Sequence, residues 1–476
     1  MSKLYIFAIG GSGSRVLRSL TMLFAAGVKT NYDVVPMIID PDHSNGDLVR
    51  TVNLLRQYQN IHNSLIFDGN TKNEFFKNTV QSLNNDGQYL LPLNGTAGVT
   101  FENYLSLGSM SNENQALMRM LFSNNNLASD MNVGFKGNPN IGSVVLTQFT
   151  NSAEFNTFAT NFVNGDRVFI ISSIFGGTGA SGFPLLLKTM RTNSNTALSG
   201  ASIGAVSLLP YFNLKTDLNS SIQADSFITK AKAALNYYEK TVTGNNTRDE
   251  MYYLGDDFAA AGYNNCDGGG GQQNNAHLIE LLAALAIVNF CTCQGRTVPA
   301  KPTNFHEFGL DTNTSGPVAF GDFGNDTNNI IRKPLSMMAI MNAYLTYRNV
   351  EHRNSQKWAK DYNGILGDGF WSSSDFSNID TFRKCFEEWL NEMEQNTMSF
   401  APFRLKKSDD DALDIINGIS PQYGSTFFLK KKGCDLIDKN LSDNISNLPK
   451  GLSASQAFME LFHTTLNDIC KKKLKI

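Results

Sequence analysis

A β-branched apolar run that breaks into a glycine-rich turn and then resumes as a helical pattern constrains this chain more than any other feature. Residues 168–191 read VFIISSIFGGTGASGFPLLLKTMR. Val168 to Ile174 forms the run, and Gly176-Gly177-Thr178-Gly179-Ala180-Ser181-Gly182 forms the turn. Phe183, Leu186, Leu187 and Met190 then recur at helical spacing. Strand, glycine turn and helix in that order place bare backbone N–H groups and a helix N-terminus around an anion, usually a phosphate. Glycine suits the turn because a side chain would block close approach and because such turns need positive φ. One such turn alone also fits a tight βα connection that merely needs glycine.

The N-terminus repeats the arrangement. Leu4-Tyr5-Ile6-Phe7-Ala8-Ile9 reads as a short buried strand, Gly10-Gly11-Ser12-Gly13-Ser14-Arg15 follows, and Val16, Leu17, Leu20, Leu23 and Phe24 continue as a helix. Two such units can face each other across the carboxyl end of one parallel sheet, where α/β folds bind ligands. A dinucleotide fingerprint would need a third glycine where Val16 stands, and a phosphate loop of the Walker type would need a lysine that neither turn contains. Two lysine-free turns point to phosphates held mainly by backbone amides.

As an ordered set these segments resemble the tubulin/FtsZ superfamily. GGTGASG before a helix is similar to the family's GGGTGSG signature, and Gly10 to Ser14 resembles its first phosphate loop. Val34 to Ile39, ending in Asp40-Pro41-Asp42, resembles the second loop, whose acids act on Mg²⁺ through water. Residues 134–142, which include Gly137, stand where a third loop faces the γ-phosphate. Ser202 to Pro210 and residues 251–257 resemble the strands that precede the long central helix. That helix would open at Asn275, where the family has an asparagine that reads guanine; an N-cap is the alternative role for Asn275. The resemblance covers residues 1–295.

It implies an α/β fold: a Rossmann-like parallel sheet with helices on both faces, a long central helix, then a mixed α/β C-terminal domain. The corresponding limits are 1–274, 275–294 and 295–476. It further implies that GTP or GDP is held by Gly10, Gly11, Ser12, Gly13, Ser14, Gly137, Gly176, Gly177, Thr178, Gly179, Ala180, Ser181 and Asn275, with Mg²⁺ held through water by Asp40 and Asp42. Asp40 ends a strand and has capping of the next turn as its alternative. A side chain at Gly177 or Gly179 is expected to intrude on the phosphate oxygens, and Gly179→Trp to lose nucleotide affinity while leaving the folded core intact.

The resemblance also implies head-to-tail self-assembly, with longitudinal contacts between copies of a prokaryotic tubulin-like protein. One departure bears on catalysis. The family's post-helix loop carries an acid that completes the neighbouring subunit's GTPase site, yet residues 291–302, CTCQGRTVPAKP, contain no carboxylate. Glu307 and Asp311 come next and are the remaining catalytic candidates. Slow hydrolysis with long-lived filaments is one expectation; a non-hydrolysing, nucleotide-responsive scaffold is the other.

Composition narrows the rest. A chain of 476 residues can bury large cores. A net charge of −3 gives no reason to expect nucleic acid as a partner. No run approaches the ~20 apolar residues that span a bilayer, and a strand starting within a few residues of Met1 leaves no room for a signal peptide. The six cysteines lack framework spacing, which suits a reducing cytoplasm. Lys471-Lys472-Lys473 reads as a solvated helix end. Helical patches are expected at 48–59, 113–122, 142–162, 220–240, 333–347, 382–393 and 453–473, and short strands at 318–320 and 425–429. Asn264 to Gln273, with four consecutive glycines, reads as a flexible insertion, either a surface loop or a lid over the nucleotide. His277 and Glu280 follow it as further pocket candidates, or as an ordinary polar helix start.

Overall fold

A computed structural model describes all residues except 66, 68, 97, 132–133, 136, 216–224, 242–247, 257–261, 267, 298–299, 308–315, 397, 406–410 and 424–430. Its centre is a parallel sheet of β1 (Lys3–Ile9), β2 (Asp33–Ile39), β3 (Leu90–Leu91), β4 (Arg167–Ser173), β5 (Ser202–Leu208), β6 (Glu250–Leu254) and β7 (Asn304–Glu307). The order across the sheet is β3-β2-β1-β4-β5-β6-β7, and every pairing is parallel. Leu4 to Ile9 are fully buried, as expected of a strand covered on both faces.

The helices of eight residues or more are α1 (Gly10–Ala25), α2 (Gly46–Ser64), α3 (Asn112–Leu121), α4 (Ala153–Asn161), α5 (Gly177–Arg191), α6 (Asp225–Thr241), α7 (Leu278–Thr292), α8 (Asn325–Tyr347), α9 (Ser374–Glu394), α10 (Gly433–Asn444) and α11 (Ala454–Ile469). None is long and apolar enough to cross a membrane. Right-handed crossovers put α1 and α5 on opposite faces, because β1 to β2 and β4 to β5 step in opposite directions. Gly13 of α1 rests on Ala8, and Phe290 of α7 rests on Gly204 and Phe169, so α1 and α7 cover one face. On the other, Phe158 of α4 meets Tyr5 and Phe7 edge-on, and Gly182 of α5 lies against Ile9.

Several expectations shift. The stretch 142–162 is not one helix: a helical turn ends at Val145, a 3₁₀ segment runs from Leu146 to Asn151, and Ser152 restarts the chain as the cap of α4. Val318 makes an isolated bridge to Phe400, and 425–429 lie outside the described residues. The segment after α7 adds β7 to the same sheet. Among its later described residues it is otherwise helical, with isolated bridges only. Buried apolar side chains from Leu4 to Leu474 form one contiguous core across the expected limits at 274 and 294.

Charge as well as apolar packing joins the C-terminal helices to the sheet. Glu392 of α9 accepts from Arg18 Nη1 of α1 at 2.6 Å, from Arg50 Nη1 of α2 at 2.8 Å and from the Ala276 N–H at 2.8 Å. Trp389, one turn earlier and fully buried, donates to Ser19 Oγ at 3.1 Å. Deleting this carboxylate takes the closest anionic partner from Arg18 and the acceptor from the Ala276 N–H, while Arg50 keeps Asp47 at 2.6 Å. Glu392→Ala is expected to lower unfolding free energy in urea by roughly 3–5 kcal/mol, the usual cost of breaking a buried ion pair. A loss below about 1 kcal/mol, as for a solvated surface pair, would contradict it.

Candidate functional site

The strands end in backbone that the following helices take up at once, so the two glycine turns are first turns of helices. Gly10 has φ of +77°, which only glycine adopts cheaply, and α1 starts there; α5 starts at Gly177. Neither helix has a side-chain cap or an acid in its first turn. By contrast α2, α3, α4, α7, α9 and α11 are capped by Asn45, Ser111, Ser152, His277, Ser373 and Ser453. Among the described residues no side chain caps the first-turn N–H groups of α1 and α5, and they converge: the position of a Gly10 Cβ lies 3.5 Å from Thr178 Cβ. This is the switch point between β1 and β4, and a cavity opens there.

Gly10, Gly11 and Ser12 of α1, with Gly176, Gly177, Thr178 and Gly179 around the start of α5, line it. Gly134, Phe135 and Gly137 of the expected third loop line it too, as do Asp40 and Asp42 after β2. Gly13, Ser14, Ala180 and Ser181 lie behind the lining and serve the fold. An added Cβ at Gly13 would stand 2.8 Å from the Ala8 carbonyl carbon. Ser14 and Ser181 donate back into their own helices, to the Gly10 and Gly177 carbonyls, and Ala180 O accepts from Tyr238. A Gly179 Cβ would lie 2.6 Å from Ser173 O, so a bulky residue there clashes with β4; the expectation that Gly179→Trp leaves the folded core intact is corrected accordingly.

The central helix begins later than its pattern suggested. His277 is the N-cap: its Nδ1 accepts from Ile279 N at 3.1 Å, and Glu280 closes the box on His277 N at 3.1 Å. Asn275 thus precedes the helix and lies outside the cavity, its carbonyl accepting from Tyr263 Oη at 2.9 Å; Asn274 lines the cavity instead. Glu307 ends at the far edge of the sheet on β7, beside a different cavity with Tyr252 and Leu285. Three strand spacings, about 14 Å, separate β7 from β4. Asp311 lies outside the described residues.

Two features escaped the sequence reading. The stretch 264–273 is tied down where described: Gly269 N donates to Asp42 Oδ2 at 2.6 Å, Asp47 N to Gln272 O at 3.0 Å, and Asn45 Nδ2 to Gln272 Oε1. The other is Arg15, which lines the cavity and pairs with Glu280 beneath it. Its guanidinium lies 5.3–5.9 Å from the ring centres of Tyr211, Phe212 and Tyr263, and its Nε is buried without a hydrogen-bond partner. Burial pushes the Glu280 carboxyl upward, while Arg15, the His277 N–H and Tyr211 Oη, at 2.9 Å, favour its charged form. His277 stays neutral, its pKa lowered to about 3 by burial and by Arg15.

Among the described residues no cluster of three or more His, Cys, Asp or Glu could hold a metal unaided. A cation bridging bound phosphates needs fewer protein ligands. Both Asp42 oxygens already accept, from Gly269 N and from Ser44 N and Oγ, whereas Asp40 gives only Oδ1, to Asp42 N at 2.9 Å. Burial, with Asp42 nearby, raises the Asp40 carboxyl to about 7. A buried acid with one uncommitted oxygen beside open amides fits a hydrated divalent cation.

No family model and no curated protein matches the chain. Part of it is similar to two solved structures, CetZ from Methanosaeta thermophila and CetZ2 from Haloferax volcanii. Each is 13% identical, with a TM-score of 0.29, over 61% of this chain. The matches span 51% and 58% of those chains, about half their length. The second is described as a GTPgS-bound protofilament.

The raised Asp40 pKa has a defined effect on stability. Between pH about 4 and about 7 the folded state keeps a proton that the unfolded chain has lost, so stability falls as pH rises. Asp40→Asn keeps the acceptor for Asp42 N and removes the charge. It is expected to stabilise the protein at pH 8, by roughly 2–4 kcal/mol, and to have little effect at pH 4. Urea unfolding at both pH values checks this; an equal effect at both would contradict it.

Proposed function

We propose that this chain is a tubulin/FtsZ-like protein that binds a guanine nucleotide with Mg²⁺ and assembles head to tail. The observation that carries the reading is the convergence of two uncapped, acid-free helix N-termini at the switch point of a parallel sheet. Oriented amides and two helix dipoles suit a polyphosphate, and Asp40 stands ready to orient waters of its cation. The nucleoside extends toward Arg15, Phe212 and Asn274, away from the third loop. Asn274, which lines the cavity where Asn275 does not, is proposed to take the base-reading role expected for Asn275: its Nδ2 is bound to Asp47 at 3.1 Å, which leaves its side-chain Oδ1 to accept. Six free cysteines suit a reducing cytoplasm.

Gly11 offers a clean test. An added Cβ there meets only Asn45 Nδ2, at 3.9 Å, so a side chain fits, and an acid in the first turn favours the helix dipole. Gly11→Asp is expected to fold with undiminished thermal stability yet lose at least about a hundredfold in GTP affinity by calorimetry, because its carboxylate occupies the anion site. Wild-type protein that binds no guanine nucleotide would end this reading.

Hydrolysis is proposed to be slow, since residues 291–302 have no acid and Glu307 is a distant candidate that would act only on a neighbouring subunit. Turnover is expected to stay low as protein concentration rises. Brisk, cooperative turnover abolished by Glu307→Gln would instead assign Glu307 the catalytic role. The lack of a carboxylate in residues 291–302 also supports the second reading, a nucleotide-responsive scaffold that does not hydrolyse.

A further inference from the structure

We propose that Lys230 of α6 supplies a cationic contact to the outermost phosphate of the bound nucleotide, so that the site prefers a triphosphate to a diphosphate. The proposal rests on the nucleotide reading above and concerns a residue outside both glycine turns.

Charge balance creates the need. Asp40, Asp42 and Asp47 line the cavity against a single lining cation among the described residues, Arg15. Arg15 is committed to Glu280, and Asp47 to Arg50 at 2.6 Å. A divalent cation would offset Asp40 and part of the phosphate charge. The end of a triphosphate would still face open amides with no cation of its own among the described lining residues.

Lys230 stands where that end would lie. The cleft runs from Arg15 past Gly10 and Thr178 to Gly177, and Gly137 lies beyond: a Gly177 Cβ would be 3.3 Å from the Gly137 carbonyl carbon. Lys230 Nζ is 3.1 Å from the point where a Cβ would project from Gly137, whose φ of +69° and lack of side chain keep the space open. Phe227, three residues earlier on α6, lines the cavity, so α6 already packs along this rim. The Lys230 side chain is half-buried, and no carboxylate or hydrogen-bond acceptor among the described residues is paired with it. Burial pushes its ammonium below the usual lysine value, a cost that a nearby anion reverses. Lys215, at the other end, is exposed and donates to Asn264 Oδ1 at 2.9 Å, which makes it a control of like charge.

Full-length protein, Lys230→Met, Lys230→Arg and Lys215→Met are compared by titration with GTP and GDP at fixed magnesium, and circular dichroism verifies folding. Wild type is expected to bind GTP more tightly than GDP. Lys230→Met should lose about ten- to a hundredfold in GTP affinity with little change for GDP. Lys230→Arg should retain most of the preference, and Lys215→Met should leave the ratio unchanged. A wild type that binds both nucleotides, with the same GTP/GDP ratio in Lys230→Met, would overturn the Lys230 assignment alone. A wild type that binds neither would overturn the nucleotide reading with it.

Discussion

Two helices that end their dipoles in an open cavity, uncapped, are the constraint on which the rest of this structure turns. Six of the other longer helices are closed by serine, asparagine or histidine caps, and α8 and α10, which also lack a side-chain cap, carry Asp326 and Asp435 in their first turns. Helices α1 and α5 have neither a side-chain cap nor an acid in the first turn. Those amides and dipoles need a partner from outside the chain, and an anion fits them. The glycines serve this in two ways. Gly10, Gly11, Gly176 and Gly177 keep the mouth bare, while Gly13 and Gly179 let each helix press onto its preceding strand.

Around that mouth, charge holds the surrounding segments in register. Asp42 and Asp47, which follow β2, bind the 264–274 stretch through Gly269 N and Asn274 N. Arg50 then reaches both Asn274 O, at 2.8 Å, and Glu392 on α9. A chain of hydrogen-bonded groups thus runs from the cavity wall to the C-terminal helices. The Arg15–Glu280 pair does the same between α1 and α7. Buried ion pairs of this kind gain less net stability than their number suggests, but removing one partner is costly, so they fix geometry more than they add strength.

The sheet and its phosphate-type turns were legible because they depend on local pattern: β-branched runs, glycine turns and helical repeats at short range. Asp40, Asp42 and Gly137 could be placed by the same order. What escaped depended on contacts across long sequence separation. Asn275 took the helix start from the family resemblance, with a cap as its alternative role, but His277 and Glu280 form a capping box two residues later. The four-glycine stretch read as loose, yet it is pinned by acids more than 200 residues earlier, a pairing no local pattern reports. Gly179 looked like part of the phosphate cradle alone; its contact with Ser173 appears only once strand and helix are packed. Arg15 carried a signal in retrospect, as a cation directly after a glycine turn. Lys230, by contrast, sits on an amphipathic helix like many lysines, and nothing in its neighbours distinguishes it.

The central claim is that the open amides of α1 and α5 hold a polyphosphate. Amide hydrogen exchange of the full-length protein, read by mass spectrometry with and without GTP and magnesium, tests it most directly. The account predicts slowed exchange in peptides covering residues 10–14 and 176–181, with the peptide containing residues 134–138 following. Unchanged exchange at both helix starts, under conditions where the nucleotide is bound, would contradict it.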